Sequence, residues 1–220
     1  MIPCLILGGG RGTRMRPLTD TVPKPLLPVC GVPFAVRQVE WLHSQGVYDI
    51  VYSVGYLADQ FRDVLGLSVT YVAEAYPLGT GGAVRHAVEQ VDLKGPFFVL
   101  YGDSYLDIDL TDVLDTFDRS CADGLMTVYQ QFGSGNATFK GRSVTRYDKE
   151  VCVQNFVDYG LLVLTAESVL ERLPAGRSDL SELIGPLSRD GFLAGYEAQS
   201  RFYEIGSPEG FAELVAVLGD

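Results

Sequence analysis

Four short apolar runs alternate with segments of helical spacing through the first 118 residues, and this alternation limits the possible folds more than any other feature of the chain. The runs are Pro3–Leu7, Asp49–Val54, Leu67–Ala73 and Pro96–Tyr101. Between and after them, Val32–Gln45 carries Val36, Val39 and Leu42 at helical spacing and stops at Gly46. Leu57–Leu65 places Phe61, Val64 and Leu65 on one side. Gly81–Val91 repeats Ala83, Val84, Ala87, Val88 and Val91, and Thr111–Phe117 follows the fourth run. Strands separated by helices of this length need crossover connections, which give a parallel sheet covered on both faces. In such sheets ligands sit beyond the carboxyl ends of the strands. The second half reads differently. Leu125–Gln131, Arg142–Tyr147, Val157–Leu164 and Phe192–Glu197 read as strands, with little helix among the first three, while Asp179–Ser188 and Pro208–Leu218 read as helices. The expected fold is α/β: a Rossmann-like, mostly parallel mixed sheet, completed by antiparallel strands, in one domain over residues 1–220.

Composition removes several function classes. The net charge of −11 argues against a general nucleic-acid binder, because phosphate backbones need basic faces. No run approaches the roughly 20 apolar residues of a membrane helix. The apolar stretch Ile2–Leu7 is too short for a secretion signal and lacks a basic leader. Of the four cysteines, Cys4, Cys30, Cys121 and Cys152, no two form a C-x-x-C pair. They read as reduced, mostly buried thiols, and the expected location is the cytoplasm. His43, His86 and Trp41 fall in helical segments and read as structural or surface residues.

One long loop, Gly8–Pro28, lacks obvious structure, and loops of that length in compact domains are usually functional. It follows the first strand and begins Gly8-Gly9-Gly10-Arg11-Gly12-Thr13-Arg14-Met15-Arg16. Glycines allow close backbone approach to phosphate, and three arginines within six residues supply bidentate donors. The G-x-G-x-x-G pattern is broken at Thr13 and no G-x-x-x-x-G-K-[ST] loop is present, so neither a typical dinucleotide site nor a P-loop fits. Pro23-Lys24-Pro25 then holds one lysine in a stiff backbone shortly after the arginine cluster. Further along, Asp103 ends the fourth strand at the ligand-binding edge, where a carboxylate can hold Mg²⁺. Leu78-Gly79-Thr80-Gly81-Gly82 opens a helix whose glycines permit close contact with a base or ribose, or simply form a start capped by Thr80.

Taken together, these segments resemble the sugar-nucleotide pyrophosphorylases, the sugar 1-phosphate nucleotidyltransferases. The pattern G-G-x-G-T-R-x-x-P-L-T and P-K-P-L-x-P-V-x-G-x-P runs from Gly9 to Pro33 almost unbroken. Leu78–Ala83, Leu100–Ser104 and Tyr203–Pro208 continue the resemblance in order. The compact length is similar to the heptose 1-phosphate guanylyltransferases and muramate 1-phosphate uridylyltransferases.

The resemblance implies a GT-A-like nucleotidyltransferase fold, a nucleotide-binding half at 1–118 and a sugar-binding half at 119–220. It implies a reaction of a nucleoside triphosphate with a sugar 1-phosphate that releases pyrophosphate, with GTP and a heptose or hexose 1-phosphate favoured. Arg14 would hold the leaving pyrophosphate, Lys24 the α-phosphate and Lys149, in Tyr147-Asp148-Lys149, the attacking phosphate. Mg²⁺ would sit on Asp103 and on Glu204, which stands where many relatives carry Asp. Leu7, Gly8, Gly9, Gly10, Gly12, Thr13, Gly79, Thr80 and Gly81 would line the nucleotide. Tyr101, Asp158 and Gly160 would face the sugar. Asp158 replaces a usual asparagine; its carboxylate accepts from hydroxyls or an ammonium and repels an acidic sugar substituent. A monomer or homodimer is expected. Three alternatives stay open: a UTP-dependent uridylyltransferase, a cytidylyltransferase acting on a non-sugar phosphate, and a non-catalytic nucleotide-sensing module.

Overall fold

The computed structural model of the chain describes residues 1–150 and 154–219; Cys152 lies outside the described residues. The elements in order are β1 (Cys4–Leu7), β2 (Pro28–Val29), β3 (Val32–Pro33), α1 (Phe34–Ser44), β4 (Ile50–Val54), α2 (Asp59–Leu65), β5 (Thr70–Ala73) and α3 (Gly79–Gln90). Then follow β6 (Pro96–Tyr101), β7 (Ser104–Tyr105), α4 (Leu110–Asp118), β8 (Gly124–Gly135), β9 (Ala137–Lys140) and β10 (Ser143–Tyr147). The chain closes with β11 (Gln154–Thr165), α5 (Ala166–Arg172), α6 (Ser181–Asp190), β12 (Leu193–Glu197), β13 (Tyr203–Glu204) and α7 (Pro208–Gly219).

Nine strands form one sheet in the order β5-β4-β1-β6-β11-β8-β12-β10-β9. The four strands of the first half are parallel, as the alternation of runs and helices required. β11 then runs antiparallel to β6, and β8 antiparallel to β11. β12 joins β8 in parallel, a pairing that an antiparallel completion did not anticipate. Side chains alternate across the pleat. Cys4, Ile6, Tyr52, Phe98 and Leu100 face Val39 and Leu42 of α1, Phe61 of α2 and Leu110 and Val113 of α4. Leu5, Val51, Phe97 and Val99 face the other way, onto Val84 and Val88 of α3, Val169 of α5 and Leu183 and Leu187 of α6. Helices therefore cover both faces, and strands with two buried faces read as the continuous apolar runs seen in the sequence. A smaller cluster of Val29, Phe34, Ile205 and Leu214 fixes α7 and the β2–β3 hairpin beside the strand ends.

Several expectations change. The long loop is not irregular throughout: it contains three single turns of 3₁₀-helix at Thr13–Met15, Leu18–Asp20 and Lys24–Leu26. α5 follows β11 directly, with the Thr165 hydroxyl accepting from the Ser168 N–H at 3.2 Å. Val64 is exposed while Phe61 and Leu65 are buried, so the apolar side of α2 is narrower than its sequence suggested. Cys4 is buried, but Cys30 and Cys121 are exposed, which corrects the reading of mostly buried thiols.

Candidate active site

The carboxyl ends of β1, β4, β5 and β6 open into a cavity of about 730 Å³, within the usual range for ligand sites. Leu7, Gly8, Gly9 and Gly10 line one end. The loop is fixed to the sheet by the Gly8 N–H donating to Ser53 O at 2.9 Å and the Tyr56 N–H to Gly9 O at 3.2 Å. Of the three clustered arginines, Arg14 lines the cavity; Arg16 pairs with Asp20 at 3.2 Å, and Arg11 is exposed. Arg14 makes no ion pair among the described residues. Gly12 and Thr13 are not in the wall. Gly12 adopts φ +58, and a Cβ there would lie 2.9 Å from Lys24 Cβ, so the glycine lets the loop close behind the lysine. Thr13 starts the first 3₁₀ turn and is exposed.

Lys24 reaches the cavity from its own 3₁₀ turn and donates from Nζ to Asp103 Oδ2 at 2.5 Å. Asp103 sits in the turn between β6 and β7, and its carbonyl accepts from the Ile205 N–H at 2.9 Å. β7 pairs antiparallel with β13, Ser104 opposite Glu204. This two-residue ribbon brings the predicted carboxylates, one from the middle of the chain and one from near its end, to one place. Glu204 accepts from the Gly206 N–H and, at 2.5 Å, from the Ser207 hydroxyl at the start of α7. Gly206 is the meeting point. A Cβ there would run into Glu204 and lie 2.9 Å from Asp103 Oδ2 and 3.1 Å from Arg14 Nη2.

The opposite end of the cavity is built from side chains. Lys149 donates to Asp179 Oδ2 at 2.6 Å. Asp179 titrates below its ordinary value: burial pushes it up, but bonds from Lys149 and the Ser181 N–H outweigh that. The Asp158 carboxylate accepts from the Tyr101 hydroxyl at 2.7 Å and from the Gly160 N–H at 2.9 Å. Burial pushes the Asp158 carboxyl from 3.8 up to about 6, despite those bonds. Burial and the adjacent carboxylate hold the Tyr101 phenol protonated, so it is the donor of that pair. Tyr101, Asp158 and Gly160 all line the cavity, as do Gly79 and Thr80. The Thr80 hydroxyl is no helix cap; it accepts from the Leu180 N–H at 2.9 Å. Gly81 lies behind the wall, where its N–H donates to Ser178 O and a Cβ would lie 2.8 Å from the Asp179 backbone and the Ser178 hydroxyl.

Comparison with known proteins shows the family. The nucleotidyl transferase family profile matches residues 4–141. The chain belongs to this family. It is 32% identical over 223 residues to a Danio rerio protein named mannose-1-phosphate guanylyltransferase catalytic subunit beta, covering 94% of this chain and 62% of the relative. It thus spans about three fifths of the length of such longer relatives. It is 31% identical over 169 residues to the Campylobacter jejuni D-glycero-alpha-D-manno-heptose 1-phosphate guanylyltransferase, covering 74% of this chain and 76% of that one. The crystal structure of HddC from Yersinia pseudotuberculosis complexed with GMP-PN superposes with a TM-score of 0.80 at 25% identity, covering 99% of this chain and all of the other. These likenesses establish the GT-A-like fold expected of the nucleotidyl transferase.

Some cavity residues went unread in the sequence. Glu74 follows β5 directly and lines the cavity beside Gly9; it accepts from the Leu78 N–H at 2.9 Å and the Ser53 hydroxyl at 3.3 Å. Its position just past a strand end is the signal that could have found it. Asp179, read in the sequence only as the start of a helical segment, accepts from the Ser181 N–H, while Glu182 accepts from the Asp179 N–H. Its pairing with Lys149 depends on the tertiary fold. Asn136, whose side chain accepts from the Asp158 N–H at 3.0 Å, gave no sequence signal.

Proposed function

We propose that the chain transfers a guanylyl group from GTP to a sugar 1-phosphate and releases pyrophosphate. The observation that carries this reading is the convergence of Arg14, Lys24 and Lys149 with Asp103 and Glu204 on one cavity of an acidic protein. Residues 1–118 hold the triphosphate and 119–220 the sugar phosphate. A phosphate oxygen of the sugar 1-phosphate attacks the α-phosphorus in line. The new P–O bond forms as the bond between the α-phosphorus and the bridging oxygen breaks, and pyrophosphate leaves with that electron pair. The nucleophile is already an anion, so no general base is needed. Catalysis is positioning and charge neutralisation. Arg14 holds the β- and γ-phosphates and the departing pyrophosphate. Lys24 neutralises the α-phosphate, exchanging Asp103 for it. Lys149 leaves Asp179 for the sugar phosphate.

The cavity wall sets three cations, Arg14, Lys24 and Lys149, against five acidic side chains, Glu74, Asp103, Asp158, Asp179 and Glu204. Two polyanions entering such a wall need added positive charge. Asp103 and Glu204 offer hard oxygen donors, which suits Mg²⁺, an ion held by one or two carboxylates together with substrate phosphates. Among the described residues no group of three or more His, Cys, Asp and Glu forms a metal cage. When bound, the ion supplies charge neutralisation at the phosphates.

Glu74 favours guanine. Its carboxylate only accepts, and guanine presents N1–H and N2–H₂ as adjacent donors, whereas uracil and thymine present one N–H between two carbonyls. Each carboxylate oxygen keeps a lone pair beyond its bonds to Leu78 and Ser53. The test is a panel of each triphosphate with mannose, heptose, glucose and muramate 1-phosphates plus Mg²⁺, read as pyrophosphate release, repeated with Glu74→Gln. GTP preferred over UTP in the parent, and less preferred in the variant, supports the reading. An unaltered preference removes Glu74 from base selection, and a parent that prefers muramate 1-phosphate with UTP overturns the substrate assignment.

A further inference from the structure

A second residue bears on the acidic turn, and it comes from a helix outside the cavity wall. Gln38, on α1, is 3% exposed. Its Nε2 donates to Tyr101 O at 2.9 Å and to Ser104 O at 3.0 Å. These carbonyls flank the Gly102-Asp103 turn on both sides. Two backbone groups of the turn itself are also tied down: the Gly102 N–H donates to Leu7 O at 3.1 Å, and Asp103 O accepts from the Ile205 N–H at 2.9 Å. Two buried carbonyls facing one side chain require two donors. A glutamine amide supplies both from a single nitrogen, and the acceptors fix which end of the amide is nitrogen. The Gln38 Oε1 is buried and makes no hydrogen bond among the described residues, so the side chain is held by its donor end.

We infer that Gln38 is a positioning residue for the proposed reaction: it fixes the Asp103 turn, and with it the β7–β13 pairing, so that the Asp103 and Glu204 carboxylates face the same phosphates and their ion. This inference rests on the nucleotidyl-transfer reading above. Gln38 touches neither carboxylate. It acts through the backbone on which Asp103 stands, and through Ser104, which lies opposite Glu204. Met is close to Gln in shape but donates nothing. Asn keeps the amide on a stem one carbon shorter and can satisfy one carbonyl.

The test compares the parent, Gln38→Met and Gln38→Asn at a temperature where all three are folded by circular dichroism. Two quantities are read: steady-state kcat and KM for GTP, and the midpoint for Mn²⁺ binding in the presence of a non-hydrolysable GTP analogue, followed by the free-ion electron paramagnetic resonance signal. Outer-sphere residues of metal sites typically change affinity or activity by about 10- to 100-fold. Gln38→Met should therefore raise the Mn²⁺ midpoint and lower kcat within that range while KM for GTP stays within about threefold, and Gln38→Asn should fall between Met and the parent. A lowered melting temperature with unchanged Mn²⁺ midpoint and kcat makes Gln38 a purely structural residue and overturns the inference. If Gln38→Met does not fold, Gln38→Asn decides, and parental values there overturn it too. A parent without GTP turnover defeats the functional reading instead, and is recognised before any variant is made.

Discussion

The two ends of the cavity are built on different principles. At the end proposed for the nucleotide, backbone does much of the work: Leu7 to Gly10 line the wall, glycines admit close approach, and the charged groups Arg14, Lys24 and Asp103 sit on short turns anchored to four parallel strands. At the sugar end, Lys149, Asp158, Asp179 and Asn136 come from separate elements of the mixed half of the sheet and from the start of α6, and meet through side-chain bonds. A backbone-built site tolerates few changes, because at Gly8, Gly9 and Gly102 a Cβ would meet an atom that already stands there. A side-chain-built site can change its residues and keep the fold. The first end is thus suited to the constant triphosphate chemistry and the second to a variable acceptor.

The largest expected effect tests the shared centre. Asp103→Asn should retain the fold and lose nearly all turnover, and EDTA should do the same to the parent. Turnover of the variant within about threefold of the parent would remove the turn carboxylate from the mechanism, since losing one preorganised charge contact usually costs far more. Arg14→Ala and Lys24→Ala come next. Each should cost about 2–4 kcal/mol of transition-state stabilisation, visible in kcat as well as in kcat/KM. A rise in KM alone would make the residue a binding contact and weaken the contrast between the two ends.

At the sugar end the expected effects are smaller and concern stability as well as selection. The Asp158 carboxyl titrates at about 6 in the fold against an ordinary 3.8. A carboxyl with a raised folded value binds its proton more tightly when folded, so folding is favoured below the unfolded value and loses stability as pH rises through the window from about 4 to 6. Relative to the parent, Asp158→Asn should gain up to about 2–3 kcal/mol of unfolding free energy between pH 4 and pH 7, measured by denaturant titration at each pH. A pH-independent difference would mean that Asp158 is not desolvated. The same variant should reorder neutral, amino and acidic sugar 1-phosphates by kcat/KM; an unchanged order would mean that Asp158 does not read the sugar. Smallest of all, Asp179→Asn frees Lys149 from an exposed ion pair, a contact of about 0–1 kcal/mol, and should shift KM for the sugar phosphate by less than about tenfold, with KM for GTP unaltered. A larger effect on GTP than on the sugar phosphate would reverse the division of the cavity.

The same contrast explains how far the sequence could be read. The four parallel strands and the three helices between them follow from period and run length, because strands buried on both faces leave continuous apolar runs. The glycine loop was legible for a related reason: backbone-built sites leave their mark in glycine and proline. What stayed hidden depends on distant pairings. The β7–β13 ribbon is two residues long on each strand and joins positions about a hundred apart, so no local pattern announces it. The likeness of Tyr203–Pro208 to the family, not its periodicity, put Glu204 beside Asp103. Glu74 stands just past a predicted strand and Asp179 at the start of a predicted helix; only the fold turns them toward the cavity. Gly12 and Gly81 show the opposite case, motif residues whose place is behind the wall, where they let Lys24 and the Asp179 backbone settle, while Thr13 is exposed at the start of a 3₁₀ turn.

The central claim, that one cavity holds two phosphate esters for direct transfer between them, is tested most directly by following the label from α-phosphate-labelled GTP in the presence of mannose 1-phosphate or a heptose 1-phosphate and Mg²⁺. The account predicts that the label moves into a nucleotide sugar, one pyrophosphate is released per label transferred, and neither product forms when the sugar phosphate is left out. Pyrophosphate release that is independent of every sugar phosphate offered, or label recovered only as GMP, would contradict it.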